Sequence, residues 1–149
     1  MHFDVTGNPT AKWTSQQIVE AFPWDTAPKY LLRDRDGIYG EHLRSRVKNM
    51  GINEVKTAPQ SSWQNPYVER LIGSIRCECL DYMIVLNAEH LRRILGEYFK
   101  YHHDDRTHLS LAKDTPSGRA VQQKPDKTKV LALPRLGGLH HRYEWREAA

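Results

Sequence analysis

The sequence predicts an α/β domain, because short apolar runs suited to buried strands alternate with segments whose apolar residues recur at helical spacing. Lys29 to Arg33 is apolar, too short for a helix, and followed at once by Asp34 and Asp36. Residues 40 to 50 carry Leu43, Val47 and Met50 on one helical face, and Ile52 to Ala58 then reads as a second strand. Strands that alternate with helices in this way place chemistry at the strands' carboxyl ends, and Asp34 stands at such an end.

The elements follow in order. His2 to Thr6 reads as a short opening strand, closed by the turn Gly7-Asn8-Pro9. Thr10 or Thr14 caps a helix running to about Phe22, with Trp13, Ile18, Val19 and Phe22 as its apolar positions and Pro23 as its stop. After the strand over 29–33, Gly37 gives a turn, and Gly51 ends the helix over 40–50. Pro59 to Pro66 is a polar loop with one tryptophan. Pro66 suits a first helical turn. From there Val68, Leu71, Ile72, Ile75, Cys79 and Leu80 mark a longer helix. Asn87 caps another helix, built on Leu91, Ile94, Leu95, Tyr98 and Phe99. Beyond Pro116 the chain turns polar, with Pro125, Pro134 and a Gly-Gly-Leu-His-His segment, and reads as an extended tail.

Composition narrows the class. A chain of 149 residues buries a real core, and 39% hydrophobic with 27% charged residues is too apolar for a disordered protein. No apolar run approaches the ~20 residues that span a bilayer. The start has no basic segment followed by an apolar one, so no secretory signal is visible and a cytoplasmic protein is expected. The net charge of +4 favours a polyanionic partner. Cys77 and Cys79, the only cysteines, are two apart in a helix and face different ways, so buried or half-buried thiols are expected rather than a disulfide or a zinc site.

Two acidic residues stand where metal-assisted phosphoryl transfer would need them. Such chemistry uses divalent cations held by a few carboxylates that converge from different elements. Asp34 follows a strand, and Glu69 lies in the first turns of a helix, where the dipole favours negative charge. Ordinary alternatives stand beside this reading, since a turn aspartate and an N-terminal helical glutamate are both common. Asp36 competes with Asp34, because residues two apart on an extended chain share a face. His102-His103-Asp104-Asp105 lacks the further spaced ligands of a metal-dependent phosphohydrolase, and His140-His141 reads as surface. Trp63 either stacks on a DNA base or pins its loop.

The stretch Leu32-Arg33-Asp34-Arg35-Asp36-Gly37-Ile38-Tyr39-Gly40, then Thr57-Ala58-Pro59, then Gln64-Asn65-Pro66-Tyr67-Val68-Glu69-Arg70, resembles the second half of a retroviral-type integrase core. It is most similar to bacterial insertion-sequence transposases with an Asp-Asp-Glu triad. Asp34 with Tyr39 five positions on, and Asn65 with Glu69, fall on the family's pattern, and thirty-four residues lie between Asp34 and Glu69. Arg76 stands where the family has a basic residue seven after the glutamate. Tyr101-His102-His103-Asp104-Asp105-Arg106-Thr107-His108-Leu109-Ser110-Leu111 resembles the family's closing segment, with Thr107 in place of a proline.

The resemblance implies a ribonuclease-H-like mixed sheet flanked by helices, over residues 1–120, with 121–149 as a polar tail. It implies Asp34 and Glu69 as catalytic metal ligands for Mg²⁺ or Mn²⁺, and Tyr39 favours Asp34 over Asp36. Arg76 is expected to grip a phosphate, and Trp63 and Asn65 to lie at the DNA, with Asn65 also suited to capping the helix. The partners implied are DNA, both element ends and target, and further copies of the chain assembled on it. The triad's first aspartate belongs on an earlier strand. Asp4, thirty residues ahead of Asp34, is too close. The first strand and its ligand are therefore expected to be missing, which makes the chain an incomplete DNA strand transferase. The alternative is a non-catalytic DNA-binding or assembly remnant of a decayed mobile element.

Overall fold

The computed structural model describes residues 2–23, 26–37, 39–124 and 126–147, and the chain divides into two compact units, Met1–Arg76 and Cys77–Ala149. Ile38, within the resembling stretch, and Pro125, in the expected tail, lie outside the described residues.

In the first unit, helix α1 (Ala11–Ala21) starts at Thr10, whose hydroxyl accepts the Trp13 N–H at 3.2 Å, as the cap predicts. Strand β1 (Tyr30–Arg33) follows, then α2 (Glu41–Asn49) and β2 (Asn53–Lys56). Gly51 takes φ +72°, a left-handed conformation that ends α2 at little cost for glycine. β1 and β2 pair in parallel, with Leu31 opposite Glu54 and Arg33 opposite Lys56. Leu43, Val47 and Ile52 form the core, against which Ile18, Ala27, Leu31, Tyr39 and Met50 pack.

That core covers one face of the two-stranded sheet. The other face stays in solvent, with Tyr30 57%, Leu32 39% and Val55 44% exposed. The opening strand expected over His2 to Thr6 does not form: those residues are irregular, and β1 pairs with β2 alone. Backbone groups become a strand only when a ladder of hydrogen bonds forms along them; here the side chain of His2 meets Gln17 of α1 at 2.8 Å instead. The α/β expectation therefore holds, whereas of a mixed ribonuclease-H-like sheet the described residues show this parallel pair.

Helix α3 (Pro66–Glu78) begins where Pro66 predicts, after a short 3₁₀ turn at Ser62–Gln64. None of its residues is fully buried, although Val68 and Ile72 were expected to pack; they are 45% and 53% exposed.

In the second unit, α4 (Ala88–Asp104) is capped by Asn87, whose side chain accepts the His90 N–H at 2.8 Å. Ile94, Tyr98 and Phe99 from α4, with Cys79 and Leu136, are its buried apolar residues. Cys79, just past the end of α3, is buried as expected, but Cys77 on the helix is exposed. The extended tail is corrected. Strands β3 (Thr128–Arg135) and β4 (His140–Glu147) pair antiparallel along their whole length through a tight turn at Leu136–Gly138. Leu136, Gly137 and Gly138 all take positive φ there. Asp105, 8% exposed, anchors the hairpin by accepting from Arg135 Nε at 2.5 Å and Arg142 Nη1 at 3.1 Å. No described helix is long and apolar enough to cross a membrane.

Candidate functional site

Asp34 emerges from the carboxyl end of β1 into a loop that is tied down on several sides. The Thr57 N–H donates to the Arg33 carbonyl at 3.0 Å, and Arg35 Nε donates to the Thr57 carbonyl at 3.0 Å. Asp34 Oδ1 accepts the Asp36 N–H at 3.1 Å, closing a tight side-chain turn. The Tyr39 N–H donates to the Asp36 carbonyl at 3.2 Å. Asp34 and Asp36 are both exposed, but Asp34 lies nearer the strand and has one carboxylate oxygen without a partner among the described residues.

Beneath this loop lies a buried cation that the sequence reading did not single out. The Arg33 side chain is 4% exposed and pairs through Nη2 with Glu54 Oε2 at 3.0 Å, while its Nη1 holds the Asp34 carbonyl at 2.8 Å. Its guanidinium also lies 5.0 Å from the centre of the Tyr39 ring. Burial, aided by the charges of Asp34 and Asp36, raises the Tyr39 phenol above its ordinary pKa and keeps it neutral. An arginine closing a strand of apolar residues was the signal available in the sequence.

Glu69 sits exposed in the first turn of α3, with its N–H donating to the Asn65 carbonyl at 3.2 Å. Asn65 is half-buried at the start of that helix. Arg76 is exposed seven residues further on, close to two helical turns along the same face. Trp63 is 70% exposed, so burial does not pin its loop; Gln64 does, by accepting the Ala58 N–H at 2.7 Å. No hydrogen bond or ion pair joins Asp34 to Glu69, and no group of three or more ligating side chains occurs among the described residues. Asp4 accepts the Val5 N–H at 2.7 Å in the irregular opening segment.

Residues 50–116 match the family model of the integrase core domain. The match takes in Asn65, Glu69, Arg76 and the segment from Tyr101 to Leu111, and it leaves Asp34 outside. It supports an integrase-like superfamily and, with it, a function related to DNA integration or transposition and DNA as a partner. No curated protein and no solved structure matches the chain.

Within the integrase-core match, the second unit gives the closing segment a scaffolding part. Arg106 grips Glu78 in a two-pronged contact, Nε to Oε2 at 2.7 Å and Nη2 to Oε1 at 2.5 Å. The Tyr98 hydroxyl donates to the same carboxylate at 3.1 Å. Burial would raise the Glu78 pKa, but the hydrogen bonds and charge of Arg106, with the Tyr98 bond, bring it below the ordinary value. His102 is pushed down to about 4, by burial first and then by His108, Arg106 and His103. It is therefore a neutral ring packed edge-on against His108, 4.7 Å away. His140 stacks on Tyr101 at 4.3 Å and bonds the Glu78 carbonyl at 2.7 Å, whereas His141 is exposed. Thr107, in the place of the family's proline, is exposed.

Proposed function

We propose that this chain carries part of a DNA strand-transfer core, with Asp34 and Glu69 as two of the three carboxylates of a divalent-metal site. The observation that carries the reading is the integrase-core match over 50–116, which contains Glu69. It is supported by the exposure of Asp34 at the carboxyl end of a parallel strand and of Glu69 in the first turn of α3. The reading takes residues 1–120 as core-derived, with 121–149 as the segment that follows, and insertion-sequence transposases as its relatives.

The donors suit a hard cation: two exposed carboxylates on separate elements offer only oxygen, which Mg²⁺ and Mn²⁺ prefer. A bound ion of this kind supplies charge stabilisation and an activated hydroxyl for attack on a phosphodiester. The chain's own residues do the rest. Arg33 fixes the backbone of Asp34 from below, Tyr39 walls the loop with a neutral phenol, and Asn65 sets the start of α3. Arg76 and Trp63 face the DNA, one gripping a phosphate and the other stacking on a base. Further copies of the chain assemble on the element ends.

The test is Mn²⁺ binding, followed by magnetic resonance, in the full chain and in Asp34→Asn and Glu69→Gln, with strand transfer assayed on labelled duplex ends. Each substitution is expected to weaken Mn²⁺ binding at least tenfold, and the unaltered chain alone to join strands poorly. Unchanged Mn²⁺ binding in both variants would remove the metal pair. Robust Mg²⁺-dependent joining by the 149 residues alone would overturn the count of two and reinstate Asp4. The second reading, a DNA-binding remnant, draws on the net charge of +4 and on the integrase-core match, neither of which requires catalysis. It requires salt-sensitive DNA binding that neither substitution alters.

A further inference from the structure

We propose that the cleft between residues 111–122 and the outer face of the β3–β4 hairpin binds single-stranded nucleic acid. One base stacks against Tyr143 and Trp145, and Lys113 and Arg119 hold its phosphates. The cleft measures about 580 Å³, room for a nucleotide, and lies wholly within the second unit.

Alternation along the hairpin builds its apolar wall. Arg135, Leu133 and Leu131 of β3, with His140, Arg142 and Glu144 of β4, take one face, and all six are half-buried. Val130, Tyr143 and Trp145 take the other; Val130 is 54% and Tyr143 62% exposed. The backbone N–H of Trp145 donates to Gln122 Oε1 at 2.9 Å, and Lys124 Nζ lies 5.5 Å from the centre of its ring. Aromatic rings displayed beside cations are what base stacking on a charged backbone requires.

Charge selects the ligand. The acids lining the cleft are already engaged: Asp114 Oδ1 accepts the N–H groups of Thr115 and Arg119 at 2.7 and 3.0 Å, and Glu144 pairs with Arg142 at 2.7 Å. The side chains of Lys113 and Arg119 have no partner among the described residues, which leaves a surplus of positive charge. An independent sign of a ligand comes from Thr115, which lines the cleft at 3% exposure with a buried hydroxyl that has no hydrogen-bond partner. A buried polar group in that condition is uncommon without water or ligand to satisfy it.

The cleft is lined only by residues of the second unit, whereas Asp34 and Glu69 belong to the first, so its test is separable from theirs. The experiment measures fluorescence anisotropy of the full chain with a labelled oligothymidylate and with an abasic strand of equal length and charge. The unaltered chain is expected to bind the oligothymidylate about tenfold more tightly. Trp145→Ala and Tyr143→Ala should each bring it close to the abasic level, while Trp145→Phe stays within about threefold of the unaltered chain. Arg119→Ala should weaken both strands alike. Equal binding of the two strands by the unaltered chain would overturn the proposal, and that comparison needs no variant to fold. Retention of full affinity by folded Trp145→Ala and Tyr143→Ala would overturn it as well.

Discussion

Arg33 reaches across the parallel strand pair to Glu54, with Nη2 and Oε2 3.0 Å apart, and with its other terminal nitrogen holds the carbonyl of Asp34 at 2.8 Å. One buried guanidinium thus joins the strand pairing to the loop that displays the candidate metal ligand. Glu54→Ala strands that cation, and breaking a buried pair in this way costs about 3 kcal/mol. The low end of the range applies because Arg33 Nε and Glu54 Oε1 already lack partners. Urea unfolding checks it; a loss below about 1 kcal/mol would show that the pair does not hold the loop.

Arg76 offers a charge reading that does not depend on metal. If it grips a DNA phosphate, Arg76→Ala lowers affinity for all sequences alike and reduces the slope of log affinity against log salt by about one. Titrations at several salt concentrations measure this, and an unchanged slope removes the contact.

The second unit is expected to lose stability on mild acidification. Burial holds the His102 pKa down at about 4, below the ordinary histidine value of 6.5, so the unfolded chain binds more protons between those values. Stability is full above about pH 6.5 and declines as the pH falls toward 4. Glu78, also depressed, adds a loss in the same direction as the pH falls through and below the ordinary carboxylate range. Thermal unfolding across pH 4 to 7 should show the slope, and His102→Gln should flatten its upper part. A slope unchanged in that variant would assign the acid sensitivity elsewhere.

Arg106→Lys keeps the charge but gives up the two-pronged contact with Glu78. The expected loss is about 2 kcal/mol, in the range of a charge-assisted hydrogen bond. If the closing segment touches DNA instead, stability stays constant and DNA affinity falls.

Local chemistry was legible in the sequence wherever a short stretch decides the structure. Thr10 and Asn87 cap their helices, Pro66 begins α3, and Gly51 ends α2, because each depends on residues within a turn of it. Burial was harder to read, because it depends on what else is present. Val68 and Ile72 recur at helical spacing yet stay exposed, and His2 to Thr6 alternates like a strand but stays irregular. The hairpin is hidden in the sequence because a polar segment with Pro134 and paired glycines reads as an extended tail. In fact Pro134 occupies a strand position, and the glycines supply the positive φ of its turn. Asp34 and Glu69 were visible as a motif, whereas the Arg33–Glu54 pair beneath Asp34 required the strand register to bring distant residues together.

The bare outer face of the β1–β2 pair bears on the order of events in this protein's life. A further strand laid parallel beside β1 would extend the two-stranded sheet and flank the exposed Leu32 and Tyr30. Because parallel strands end at the same side of a sheet, its last residue would come to rest beside Asp34. Completing the sheet and completing the ring of carboxylates would then be a single event, so folding itself would act as the switch for chemistry.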